Sequence, residues 1–182
     1  MPAAEAAVPE ADRGEIIATR RLTLRRFRPS DAAAFHAVLS DAEAMRYWST
    51  PPHRHMAETE AWVERTIAAV AAGEADDFIA LHEGSAVGKA GLWQGNELGM
   101  IFARTWWGRG YAGEAVQAII GRAFARGLTA VRADVDPRND RSIRLLRRLG
   151  FVQTGSAKQT LKIGDVWVDS VYFELQRGQG DL

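Results

Sequence analysis

The sequence predicts a mixed α/β domain: a mostly antiparallel sheet, broken by one crossover, with helices on both faces. Three observations predict it. Short apolar runs alternate in hairpin order up to Trp93, one strand–turn–helix–strand unit occupies 97–135, and two more alternating runs close the chain. At 182 residues the chain holds one domain with a real core and is short for two.

Composition narrows the function classes. Basic and acidic residues balance at 23 each, which argues against a nucleic-acid partner, since that usually demands a basic face. There is no cysteine, so disulfides, thiolate catalysis, a cysteine acyl-enzyme and cysteine–zinc sites are excluded. No apolar run approaches the roughly twenty residues of a membrane span, and no basic-then-apolar leader opens the chain. No membrane partner and a cytoplasmic location are therefore expected.

Residues 1–15, rich in Ala, Pro and acids without a period, read as a flexible tail, and 177–182 as another; the domain is expected over 16–176. Thr19 to Phe27 reads as a first strand. Pro29-Ser30-Asp31 starts a helix with Ser30 as N-cap, and Phe35, Val38 and Leu39 form its buried stripe. Asp41 to Met56 has no period and carries Tyr47, Trp48, His53 and His55, the composition of a loop that lines a substrate site. Trp48 could equally plug the core. His53-x-His55 lacks a third ligand, so no metal is expected. Glu58 to Ala72 is a helix burying Trp62, Val63, Ile67 and Val70, stopped by Gly73. Phe78 to Leu81 and Ala86 to Trp93 are strands joined at Glu83-Gly84-Ser85, and Gly95-Asn96 turns into the next strand.

The unit beginning at Glu97 organises the rest. Leu98, Met100 and Phe102 alternate with Gly99 and Ile101. Gly108-Arg109-Gly110-Tyr111-Ala112-Gly113 follows, and Glu114 opens a helix marked by Ala115, Ile119, Ala123 and Phe124. Val131 to Val135 is a strand; Ile143, Leu146 and Leu149 mark another helix, closed by Gly150. Val152 to Thr160 and Val166 to Leu175 are final strands. Glycines leave backbone N–H groups uncovered at a helix N-terminus, where the dipole favours negative charge, so the turn suits a phosphate or pyrophosphate. Read literally, Gly108-x-Gly110-x-x-Gly113 with Asp134 beyond it is the fingerprint of an NAD-binding protein. Its position argues otherwise: Ala103 to Trp107 separate the strand from the first glycine, and the unit lies mid-chain.

Trp107-Gly108-Arg109-Gly110-Tyr111-Ala112 resembles the coenzyme A pyrophosphate loop of the GNAT N-acetyltransferases, with Trp107 where Gln or Arg is usual. That departure is similar to the ribosomal-protein N-terminal acetyltransferases, the RimJ/RimL-like subfamily, as are Asn139-x-x-Ser142, Leu145 and Gly150-Phe151. The resemblance covers roughly residues 19 to 175. It implies a GNAT-like sheet with a splayed central strand pair, acetyl-CoA as co-substrate, and direct acetyl transfer to a primary amine. It also implies that backbone groups of Met100, Ile101 and Phe102 pair with the pantetheine arm. Trp107 to Gly113 would hold the pyrophosphate, with Arg109 as an added cation, and Asn139 and Ser142 would complete the cofactor site. Homodimers are common among relatives.

Acetyl transfer needs a neutral amine, a polarised carbonyl and a proton for the leaving thiolate. The position where many family members carry an acidic Tyr is Leu146 here, so Ser142 is the substitute proton donor, or else a first-turn residue that binds only backbone. Glu97 is the candidate base and, with Tyr47 and Trp48, a candidate substrate-binding residue; Asp134 is the alternative base. Glu114 reads as structural. The missing Tyr leaves open a second reading, a non-catalytic coenzyme A sensor or partner-binding module. Arg141, Arg147 and Arg148 read as a solvated face, with Arg144 the one that could reach a phosphate. An α-amine is about 15% neutral at pH 7 and a lysine amine about 0.04%, a handicap of roughly 3.5 kcal/mol. A weak base therefore fits a protein N-terminal α-amine, or a small-molecule amine of similar acidity.

Overall fold

The computed structural model of the chain describes residues 15–178. They form the strands β1 (Ile17–Ala18), β2 (Thr23–Arg25), β3 (Ala75–His82), β4 (Ser85–Trp93), β5 (Glu97–Phe102), β6 (Ala130–Val135), β7 (Val152–Ile163) and β8 (Val166–Gln176). The helices are α1 (Ala32–Leu39), α2 (Met56–Ala71), α3 (Tyr111–Ala125) and α4 (Asp140–Arg148). One sheet runs in the order β1-β2-β3-β4-β5-β6-β8-β7. All neighbours are antiparallel except β5 and β6, which are parallel and paired at one position, Glu97 opposite Arg132. The predicted splayed pair is thus β5 and β6, and β5 keeps a free edge from Leu98 onward.

Each face of the sheet carries two helices. α3 and α4 cover one, burying Ala115, Ile119, Leu146 and Leu149 against Phe78 and Phe173. α1 and α2 cover the other, where Phe35, Val38 and Val63 meet Ile79 and Ile101. The ring of Trp62 stacks on Phe35 at 5.5 Å and meets Phe27 edge-on. Truncating a ring buried as fully as Phe35 costs about 3–5 kcal/mol.

Several boundaries differ from expectation for local reasons. The first strand is two short ones, because the Thr19 N–H donates to the Leu22 carbonyl and the Thr19 hydroxyl accepts the Leu22 N–H, folding 19–22 into a turn. Ser30 is not the cap of α1. Pro29–Asp31 is a 3-10 turn whose Asp31 carboxylate accepts the Arg28 N–H and pairs with Arg25. α2 starts at Met56 because Glu58 accepts the N–H groups of Arg54 and His55. Its fully buried positions are Thr59, Val63, Thr66 and Ala69; Trp62, Ile67 and Val70 are half-buried at the margin. α3 starts at Tyr111, three residues early, since Gly110 at φ +82° ends the loop in a conformation a side chain resists. β7 carries a wide bulge: Lys158, Gln159 and Thr160 oppose Asp169 alone, and the Asp169 carboxylate accepts the Gln159 N–H. Of the expected N-terminal tail only Glu15 is described, paired with Arg26; at the other end the Arg177 N–H still donates to the Thr129 carbonyl. Residues 1–14 and 179–182 lie outside the described ones.

Candidate active site

Two cavities meet where β5 and β6 part. The larger, about 1390 Å³, runs between β5, the turn before α3, and α4. The smaller, about 470 Å³, opens on the α1/α2 face and reaches the β7–β8 hairpin. Tyr47, Trp48, Met100, Asn139 and Ser142 line both and form the waist between them.

Every residue expected at the cofactor lines the larger cavity: Met100, Ile101, Phe102, 107–113, Asn139 and Ser142. The α3 N-terminus exposes unpaired N–H groups toward it. The approach of α3 to α4 is close there; a Cβ on Gly113 would lie 3.3 Å from the Leu145 side chain. The Phe102 carbonyl accepts the Trp107 indole N–H at 2.8 Å, which leaves its N–H for a ligand. The Asn96 carbonyl faces β6 and the Ala103 N–H faces β4, so by alternation the groups of Met100 and the Phe102 N–H lie on the free edge, while those of Ile101 are turned to β4.

Charge distinguishes this cavity. Eight arginines line it. Three are paired with acids: Arg21 with Glu114, Arg46 with Glu43, and Arg138 with Asp136. Arg20, Arg109, Arg141, Arg144 and Arg148 have no carboxylate partner among the described residues. Uncompensated guanidinium groups around a helix N-terminus fit a ligand carrying several phosphates, and pantetheine amides fit the free strand edge. The groups present therefore suit coenzyme A. The α4 arginines are not merely a solvated face: Arg141, Arg144 and Arg148 all face the cavity.

The loop is clamped from the N-terminal segment, a feature the sequence reading missed. Glu114 accepts from the Thr19 hydroxyl and from the backbone and Nε of Arg21, at 2.6–2.7 Å. Arg21 also donates to the Arg109 carbonyl at 2.9 Å and lies over the Tyr111 ring. Burial opposes ionisation of Glu114, but these donors outweigh it and hold the carboxyl below its ordinary range. Glu114 is structural, as expected, through Arg21 rather than through its own helix.

Register places the second set of residues. Directly opposed residues share a face. Asp77 opposes Gly91, Gly91 opposes Gly99, and Glu97 opposes Arg132, two residues before Asp134. Glu97 and Asp134 therefore lie on the face that carries Ile101 and the α1/α2 core, and both line the smaller cavity. Partial desolvation, and then repulsion from Asp134, push the Glu97 carboxyl above its ordinary value. The side chain is solvent-accessible at the cavity mouth. Ser142 is half-buried at the waist. Its N–H donates to Asn139 Oδ1 at 3.2 Å, and its hydroxyl has no partner among the described residues. Leu146, at the usual Tyr position, is buried beside it. His53 Nδ1 is within 2.9 Å of the Thr59 hydroxyl. Among the described residues no group of three or more metal-ligating side chains occurs.

Sequence reasoning missed the buried pair Lys89–Asp77, 2.8 Å apart in the wall of this cavity. The signal was a single lysine inside the apolar run Val87-Gly88-Lys89-Ala90-Gly91-Leu92. The dinucleotide reading fails on topology. A 3-10 turn (Arg104–Trp106) intervenes after β5, and β6 splays away instead of extending a doubly wound sheet.

The same fold recurs in known proteins. The acetyltransferase (GNAT) domain profile matches residues 21–152. An uncharacterized N-acetyltransferase, p20, from Bacillus licheniformis is 30% identical over 170 residues, spanning 88% of this chain and 96% of the relative. A GNAT-family acetyltransferase from Bacillus anthracis has a crystal structure that superposes with a TM-score of 0.78 at 25% identity, over 88% of this chain and 98% of that one. A Salmonella typhimurium acetyltransferase that modifies the N-terminal serine of ribosomal protein L7/L12 superposes with a TM-score of 0.80 at 20% identity, over 89% and 99%. With the match covering most of the sheet, the loop before α3 and the Asn139–Ser142 turn, the chain belongs to the GNAT family of acetyltransferases.

Proposed function

We propose that the protein transfers the acetyl group of acetyl-CoA directly to a primary amine, and that this amine is a protein N-terminal α-amine or a small-molecule amine of similar acidity. The observation that carries this reading is the waist: a phosphate-suited cavity and a carboxylate-bearing cavity meet at Ser142 and Met100. The thioester enters from the first and the amine from the second. Glu97 takes the proton that the attacking amine gives up. Its raised carboxyl makes it a better base than an ordinary surface glutamate. The bond from carbonyl carbon to sulfur breaks, and the Ser142 hydroxyl, free of other partners, donates to the departing thiolate. Tyr47 and Trp48 bound the acceptor at the waist.

The acceptor class draws on two supports. A single exposed carboxylate suits an amine already partly neutral at pH 7 better than lysine. Fold likeness extends to RimL, described as a ribosomal L7/L12 α-N-protein acetyltransferase, at 20% identity and a TM-score of 0.82.

Thiol release is measured with acetyl-CoA against peptides with free N-termini, spermidine, an aminoglycoside, and an N-blocked peptide with one lysine. Release with the free N-termini and little with the N-blocked lysine peptide is expected. Ser142→Ala should lower kcat by about tenfold or more with acetyl-CoA affinity retained. An unchanged rate removes Ser142 from the chemistry, and preference for the lysine peptide removes the α-amine reading.

A further inference from the structure

Arg141 and Trp107 both line the larger cavity, one on the first turn of α4 and the other on the turn before α3. The Arg141 Cζ lies 4.4 Å from the centre of the Trp107 ring. The indole is itself fixed, since its N–H donates to the Phe102 carbonyl at the end of β5. That bond uses the one polar group of the indole, so Trp107 has nothing left with which to bind an anion. Where the family pattern has Gln or Arg, this chain has an aromatic face. A guanidinium held against such a face keeps its N–H groups free at its edge. Arg141 gives those groups to no acceptor among the described residues.

We propose that Arg141, held in place by Trp107, is a pyrophosphate-binding residue of the coenzyme A site, supplying from α4 the cation that the loop's own first side chain does not. Trp107 is then a positioning residue. The assignment to the pyrophosphate follows from adjacency: Trp107 immediately precedes Gly108-Arg109-Gly110, whose loop leads into the α3 N-terminus. Arg148 approaches a different point, within 3.9 Å of a Cβ placed on Gly113. The inference rests on the acetyl-CoA reading above.

The test is calorimetric binding of coenzyme A and of 3′-dephospho-coenzyme A to the full chain. For Arg141→Ala and Arg141→Gln both ligands should bind more weakly by the same factor, roughly tenfold or more, because both retain the pyrophosphate. Trp107→Leu should lose a similar factor, and Trp107→Leu/Arg141→Ala no more than either single change. Trp107→Phe, which keeps a ring face, should lose less than Trp107→Leu. Unchanged binding by the Arg141 variants overturns the proposal, as does a loss confined to coenzyme A, which would place Arg141 at the 3′-phosphate. Multiplying losses in the double variant overturn the positioning role of Trp107. If the wild-type chain binds neither ligand, the acetyl-CoA reading falls and takes this one with it.

Discussion

The Lys89 ammonium donates to the Asp77 carboxylate at 2.8 Å, with both side chains almost fully enclosed, in a groove left by two glycines that face each other across β4 and β5. A Cβ on Gly91 would fall 2.1 Å from Asp77 Oδ1 and 2.5 Å from its Cα; one on Gly99 would meet nothing closer than Lys89 Nζ at 3.5 Å. The glycines are thus unequal. Gly91→Ala should destabilise the fold strongly and Gly99→Ala only slightly, as read from denaturant midpoints. Lys89→Met should cost about 3–5 kcal/mol by stranding a buried carboxylate. Adding Asp77→Leu to it should recover much of that loss. A double variant as unstable as Lys89→Met would mean that the pair does more than compensate its own burial.

Glu97 gives a pH prediction. Its carboxyl is raised by burial and by Asp134, so the ionised form is lost at a pH above the ordinary glutamate value. The acid limb of kcat/KM should therefore lie above 4.5, and Asp134→Asn should move it to lower pH. Glu97→Gln should abolish the limb and lower kcat by about a hundredfold. For stability the sign is opposite to that of an ion-paired acid. A raised carboxyl favours the fold while protonated and loses that contribution as pH rises, so Asp134→Asn should stabilise the protein at neutral pH. A limb that does not move in Asp134→Asn assigns the titration to another group.

The distribution of what was legible in the sequence follows from what is local. Hairpin order, the crossover and the Gly108–Gly113 turn are carried by neighbours in the chain, and the strands and α3 and α4 fall close to where the pattern puts them. Residues 107–113, Asn139 and Ser142 meet one cavity because one turn and one helix start hold them. What was hidden depends on pairing between distant segments. Arg21 clamps a loop 88 residues away. Asp77 and Lys89 meet on a diagonal set by register, and whether Arg141 faces solvent or Trp107 depends on the angle between α3 and α4. Trp62 looked like the buried face of α2 but packs at its margin, because Phe27 and Phe35 offer it rings there.

Glu114 ties the N-terminal segment to the cofactor loop, and its removal should be felt at both. Glu114→Gln should lower stability by about 1–3 kcal/mol, since three bonds to a charged acceptor are weakened. It should also weaken coenzyme A binding, because Arg21 no longer holds the Arg109 carbonyl firmly. The wild-type carboxyl is depressed, so its stabilisation is present above the ordinary value of 4.5 and is lost as pH falls through the folded value. The stability gap between wild type and Glu114→Gln should therefore close in acid. A gap that persists at low pH would assign the effect to packing.

The loop that carries Tyr47 and Trp48 is held at its far end by the Thr59 hydroxyl and by the His53 N–H, which donates to the Leu39 carbonyl. Thr59 Oγ1 lies 2.6 Å from His36 Nδ1 and 2.9 Å from His53 Nδ1, and Thr59 is fully buried at the start of α2. A hydroxyl has one proton, so it donates to one imidazole and accepts from the other. Thr59→Val keeps the shape and leaves both nitrogens without that partner, at about 1–3 kcal/mol each. Thr59→Ser should restore most of the loss. Burial lowers the His53 imidazole below 6.5, outweighing the opposite pull of Glu58. A depressed imidazole binds fewer protons folded than unfolded, so the stability it contributes is present above 6.5 and falls as pH drops below it. His53→Gln should flatten that decline. Because the loop walls the smaller cavity, through which the proposed amine enters, KM for the amine should rise in Thr59→Val before kcat changes. Equal loss in both constants would mean that the loop positions the thioester as well.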